Sequence, residues 1–259
     1  MRVHDVSVFY KRRTVLSKNR AIKLQKKYSE IDNVVSIDTA HKHHSHKKIE
    51  IVPRTRNQEK LVLALADVEQ HVVIATGPAG SGKTYLCLLR AIQALRNNEC
   101  KRIMMVRPAV AVDNESHGFL PGDLNQKLEP WCLPLLDILY EFYKPHEVNK
   151  MIADKIIELT PLGMVRGRTF KDVFLIADEM QNSSQTQMLG LLTRIGDNSK
   201  FVITGDEAQT DRKRCINGLT DLVNRLERSP IKGISAVEFT LKDVQRHSLI
   251  GPIIDLYEE

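Results

Sequence analysis

Long hydrophobic runs are missing from this sequence. Apolar residues make up 42% of the 259, yet no stretch approaches the roughly 18 to 20 consecutive ones that a membrane helix needs. The opening, MRVHDVSVFYKRRTV, lacks the apolar block of a secretory signal. A cytoplasmic protein with no membrane association is therefore expected. Cysteine is scarce too. Cys87, Cys100, Cys132 and Cys215 are scattered, with no C-x-x-C pair, which argues against a disulfide framework or a thiolate metal site and predicts buried, reduced thiols. No internal repeat of 20 to 50 residues is present, so a solenoid or propeller is excluded.

Charge is present in quantity but unevenly placed. Residues 1–48 carry twelve Lys or Arg against four Asp or Glu, so the remaining 211 residues sum to −2 within the whole-chain +6. The basicity belongs to this N-terminal arm. Such an arm can neutralise nucleic-acid phosphates in a salt-dependent way, or serve as a solvated leader. Within it His41, His43, His44 and His46 form a tract of the kind that holds a transition metal, but neither cysteines nor carboxylates stand at ligand spacing around it.

From about residue 49 to residue 259 the texture becomes that of a single α/β domain. Short apolar runs predict strands over 71–76, 102–106, 173–177, 201–204 and 234–239, each apolar on both faces as a helix-covered parallel strand should be. Amphipathic periodicity predicts helices over 84–96, 124–143, 184–195, 219–228 and 250–257.

The strongest local signal is Gly77-Pro78-Ala79-Gly80-Ser81-Gly82-Lys83-Thr84. It satisfies G-x-x-x-x-G-K-[ST] between a predicted strand and a predicted helix, the setting that a phosphate-binding P-loop requires. Glycines let the backbone curl so that successive N–H groups face phosphate oxygens, and the helix start adds positive potential. Lys83 is suited to the β and γ phosphates of ATP and the Thr84 hydroxyl to Mg²⁺. About a hundred residues on, the apolar run 173–177 ends in Asp178-Glu179. Asp178 is the expected second contact to Mg²⁺, and Glu179 the group that polarises the attacking water. A third run, 201–204, leads into Gly205-Asp206-Glu207-Ala208-Gln209. Gln209 is a candidate contact to the γ phosphate or the water, and Gln181 a weaker one. The plainer reading of Gly205-Asp206 is a chain reversal.

These motifs, taken in order, resemble the PhoH family of phosphate-starvation-inducible ATP-binding proteins. The resemblance runs from about residue 52 to 258 and includes Pro53-Arg54-Thr55 with Gln58, the phosphate loop, Val106-Arg107-Pro108-Ala109-Val110, residues 118–124 (GFLPGDL), Arg166-Gly167-Arg168-Thr169, DEMQN at 178–182, TGDEAQ at 204–209 and Val244-Gln245-Arg246-His247. It implies a three-layer P-loop NTPase with a mostly parallel RecA-like sheet, one motor domain, and ATP hydrolysis coupled to RNA or single-stranded DNA. Where the family more often reads DEAQN this chain has DEMQN, which spares the carboxylates. The segment 210–214, TDRKR, is more basic than the resemblance leads one to expect. The nuclease domain of some relatives does not carry over, because the arm is short and poor in acids.

By the same resemblance Gln58 reads the adenine edge, which an amide can do by donating and accepting together. Arg246 neutralises charge on the transferring phosphate. Arg107, Arg166 and Arg168 are candidate nucleic-acid contacts. Related motors place ATP between two motor domains, and this chain holds one. A homo-oligomer is therefore expected, a hexamer by resemblance, with Arg246 reaching a neighbour's site across a repeating head-to-tail interface. A GTPase is disfavoured because no N-K-x-D guanine reader follows a late strand. An ATP-switched binding module and a P-loop kinase with its acceptor pocket in the 108–169 insert are the alternatives.

Overall fold

The computed structural model describes residues 48–108, 133, 136–210, 217–245 and 249. Helix α1 (Arg56–Ala66) comes first, then β1 (Val72–Thr76), α2 (Lys83–Arg96), β2 (Arg102–Arg107), α3 (Pro145–Ala153) and β3 (Ile157–Pro161). There follow β4 (Val173–Ala177), α4 (Gln185–Leu192), β5 (Lys200–Gly205), α5 (Gly218–Arg228) and β6 (Ile234–Glu238). The six strands form one sheet in the order β3-β2-β4-β5-β1-β6, and every pairing among the described residues is parallel.

Burial follows from that order. Strands β1 and β4 are buried along their whole length, with helices on both faces. Val72, Ile74, Met104, Val106, Leu175, Phe201 and Ile203 line one face and pack with Met188 and Leu191 of α4 and Leu219 of α5. The alternate residues, among them Val73, Ala75, Phe174, Ile176 and Val202, face the other way by the two-residue period of a strand. There α2 packs on β2, β4 and β5, and α1 on β1 and β6. This is the three-layer α/β fold that the sequence predicts.

The five predicted strands are present, but β6 is not apolar on both faces. Among the described residues it pairs only with β1, and it buries Val237 while exposing Ala236 and Glu238, as an edge strand can. Strand β3 was not predicted, because Ile-Glu-Leu-Thr-Pro mixes polarity and sits at the opposite edge, bonded only to β2. Proline at its end is tolerated there, since an edge strand needs fewer donors.

Helix α1 was also not predicted, and its signal was Thr55-x-x-Gln58 ahead of a run of apolar residues. Thr55 caps the helix by accepting from Gln58 N, and Leu61, Val62 and Leu65 are buried. Helix α3 was missed as well. Helix α4 is shorter than 184–195. Ser184 and Gln187 form its capping box, and the chain leaves the helix at Thr193. Of the predicted helix 124–143, residue 133 and residues 136–140 are described and helical. The predicted helix 250–257, the basic arm and its histidine tract lie outside the described residues.

Cys87 and Cys100 are buried free thiols, and burial pushes both up, Cys100 to about 11. Cys132 and Cys215 lie outside the described residues. No helix among the described residues is long and apolar enough to cross a membrane.

Candidate nucleotide site

Parallel strands point their carboxyl ends the same way, so the loops after β1, β4 and β5 meet at one rim of the sheet. Strand β5 lies between β1 and β4, which sets the glycine-rich loop and the acidic pair on either side of the loop after β5. Gly77, Gly80 and Gly82 have φ of 121°, 82° and 83°, values that L side chains rarely adopt. At Gly77 space is limiting too, since a Cβ there would lie 2.2 Å from Phe239 O, whose own N–H donates to Thr76 O at 2.8 Å. Gly77→Ala is expected to cost about 2 to 4 kcal/mol of folding stability through strain plus overpacking. Urea denaturation would check it, and an unchanged midpoint would mean that the Phe239 backbone yields freely.

Lys83 opens α2 and is 8% exposed. Its ammonium donates to Gly77 O at 2.6 Å, Pro78 O at 2.8 Å and Ser81 Oγ at 3.2 Å. All three acceptors are neutral. Burial holds its pKa below the ordinary lysine value, against the opposing charges of Asp206, Asp178 and Glu179.

Asp178, 3% exposed at the end of β4, is the most heavily bonded carboxylate of the site. Its Oδ1 accepts from Thr84 Oγ1 at 2.9 Å and from Thr204 Oγ1. Its Oδ2 accepts from Arg107 Nε at 3.1 Å and from Arg107 Nη2. Thr84 and Asp178 are therefore in direct contact, with Lys83 beside the first in the chain and Glu179 beside the second. The hydroxyl of Thr84 and the carboxylate of Asp178 are hard oxygen donors of the kind Mg²⁺ prefers, so the residues present fit that ion.

Glu179 is exposed, with φ 56° and ψ 35°. This left-handed conformation is uncommon for a residue other than glycine and tends to mark functional sites. Its carboxylate accepts from Gln181 Nε2 at 2.7 Å.

Several contacts were not anticipated. Asp206, quoted in a motif but given no role, accepts from Ala79 N of the glycine-rich loop at 3.3 Å and from Ala208 N at 3.1 Å. Thr204, a buried hydroxyl at the end of β5, anchors Asp178. A polar residue closing an otherwise apolar strand was the signal for it. Gln58, 4% exposed, lies beneath the same loop, donating to Ser81 O at 2.8 Å and accepting from Arg54 N at 2.7 Å. Gln209 is exposed on the loop after β5, its backbone N–H bonded to Asp206 O.

The three candidate nucleic-acid arginines separate. Arg107 is engaged with Asp178, and Arg168 forms a two-pronged pair with Glu158 that holds the Glu158 carboxyl below its ordinary range. Arg166 is exposed and has no ion pair among the described residues. Arg246 lies outside the described residues, but Gln245 immediately before it donates its N–H to Gly80 O at 2.9 Å.

A parallel sheet whose first strand feeds a glycine-rich loop, a lysine and a helix, with an acidic strand end facing them, defines a nucleotide-binding protein of the P-loop NTPase class. Comparison with known proteins narrows the class. The chain belongs to the PhoH-like protein family, whose model matches residues 25–258. It is 42% identical over 208 residues to a PhoH-like protein of Mycobacterium tuberculosis, covering 80% of this chain and 58% of that one. Against a PhoH-like protein of Bacillus subtilis the identity is 39% over 206 residues, with 80% and 63% covered. Against Protein PhoH of Escherichia coli it is 34% over 205 residues, with 78% and 57% covered. The chain thus spans about three fifths of the length of these relatives.

Proposed function

We propose that this chain binds ATP with Mg²⁺, hydrolyses it, and couples the cycle to RNA or single-stranded DNA in a helicase-like manner. The observation that carries the reading is the buried ammonium of Lys83, bonded only to neutral oxygens in a glycine-rich loop, with Asp178 and Glu179 across the rim. A buried cation without a direct counter-ion gains strongly from an anion in the loop. The triphosphate supplies that anion. Lys83 binds the β and γ phosphates, and Thr84 and Asp178 hold Mg²⁺, which neutralises phosphate charge when bound. Glu179, exposed and accepting from Gln181 Nε2, takes a proton from the attacking water as the water oxygen bonds to the γ phosphorus and the bond from that phosphorus to the ADP oxygen breaks. ADP and inorganic phosphate are the products. Gln58 supports the loop through its bond to Ser81 O, both ends of its amide being engaged, while Gln209 and Arg246 serve the γ phosphate.

ATPase assays with and without single-stranded RNA or DNA test this reading. Turnover that rises with nucleic acid is expected. Tight ATP binding with no turnover would instead establish the switched binding module, and phosphate transfer to a small molecule the kinase. For assembly we propose a homo-oligomer, hexameric by family resemblance, in which a neighbouring subunit closes the crevice. Specific activity that rises with protein concentration as subunits associate would support it, and full activity from a monomer would overturn it.

With Arg107 and Arg168 in ion pairs, the arm's sequence is the larger source of positive charge for nucleic acid, and Arg166 is a separate candidate contact on the core. Deleting residues 1–48 is expected to weaken nonspecific binding by roughly 10²-fold or more at low salt and to flatten its salt dependence, because each phosphate contact contributes about 0.7 to the logarithmic slope on single strands. Binding measured over a salt series checks this. An unchanged slope would assign binding to the core.

A further inference from the structure

Gln181 is 2% exposed, and both ends of its amide are engaged. Nε2 donates to Glu179 Oε2 at 2.7 Å, and Oε1 accepts from Asp206 N at 3.2 Å. Its backbone carbonyl accepts from Thr210 Oγ1 at 3.0 Å. The fit is close, since a Cβ on Gly205 would lie 2.6 Å from Oε1. Asp206 in turn accepts from Ala79 N of the phosphate loop. One chain of hydrogen bonds therefore runs from the phosphate loop through Asp206 and Gln181 to Glu179.

We propose that Gln181 is a positioning residue, which fixes the Glu179 carboxylate relative to the phosphate loop through the backbone of Asp206. The inference rests on the reading of Glu179 as the group that polarises water. It differs from a direct contact of Gln181 with the γ phosphate, because the amide is buried and both its ends are already bonded. An amide suits the position because it donates at one end and accepts at the other. A carboxylate there would still accept from Asp206 N–H but would face Glu179 charge to charge. A methionine would fill similar space and do neither. An exposed carboxylate without this brace samples several rotamers, and a misplacement of about 1 Å in a reacting group can cost on the order of 10²-fold in rate.

The test compares Gln181→Met and Gln181→Glu with the wild-type full chain by kcat and KM for ATP, affinity for a fluorescent ATP analogue, and thermal melting. Both variants are expected to lose about 10- to 100-fold in kcat while KM and analogue affinity stay within about 3-fold. Gln181→Glu keeps the Asp206 contact but sets a second carboxylate against Glu179 in a buried position, so it is expected to melt below wild type while still folding. It decides the matter alone if Gln181→Met fails to fold. Unchanged kcat in Gln181→Glu, or ATP affinity falling in step with kcat, would overturn the inference. The outcome for Glu179→Gln separates the two levels. If that variant stops turnover and Gln181→Glu does not, only the positioning role fails. If Glu179→Gln also turns over normally, or the wild type does not hydrolyse ATP, the underlying reading fails and this inference with it.

Discussion

Replacing Lys83 by Ala is expected to abolish tight ATP binding, whereas Glu179→Gln should leave binding intact and stop turnover. The two residues differ in what they meet in the ground state. Lys83 is a buried ammonium bonded to the glycine-rich loop, so in the proposed reading its interaction with ATP is fully present before any bond breaks. Hydrogen bonds between charged partners contribute about 1.5 to 3 kcal/mol each, and losing two or more weakens binding by 10²-fold or beyond. Glu179 is exposed beside the loop and accepts from Gln181. Its amide variant keeps the shape and loses only the capacity to take a proton, a contribution of typically 10² to 10⁴ in rate. Calorimetric titration with ATP alongside single-turnover hydrolysis reads both quantities. Equal loss of ATP affinity in the two variants would remove the distinction and the assignments with it.

Arg246→Ala is expected to bind ATP within a few-fold of wild type and to hydrolyse it about 10³-fold more slowly, because an arginine at the transferring phosphate acts on charge that peaks in the transition state. The family resemblance alone places this arginine in a neighbour's site. Mixing Arg246→Ala subunits with Glu179→Gln subunits is therefore expected to restore some activity, because certain neighbouring pairs join an intact Glu179 in one chain to an intact Arg246 from the next. A mixture with no recovered activity would leave Arg246 within its own chain's site. Unchanged hydrolysis in Arg246→Ala alone would remove it from the mechanism.

The candidate site was legible because its residues are local. A strand, six loop residues and Lys83-Thr84 are contiguous in the chain, and an apolar strand ending in Asp178-Glu179 declares its acidic end wherever the sheet places it. Central strands were legible for a related reason. Helices cover both of their faces, so residues 72–75 and 173–177 are apolar without interruption. At the edges this signal fades, and β3 went unread while β6 was read as more buried than it is.

What the sequence by itself determined, then, is the class of protein and the residues of its candidate site: the glycine-rich loop with Lys83, the hard oxygen donors of Thr84 and Asp178, and the acid at 179. Only the tertiary structure decided which polar side chains serve those residues from a distance. Arg107 lies 71 residues from Asp178 in the chain and Asp206 lies 127 from Ala79, yet the strand order brings each pair into contact. Gln58 became a support of the loop and Gln181 a brace for Glu179 by the same means. A side chain's hydrogen-bond partner is set by strand neighbours and loop curvature, and those are fixed only when the sheet has assembled.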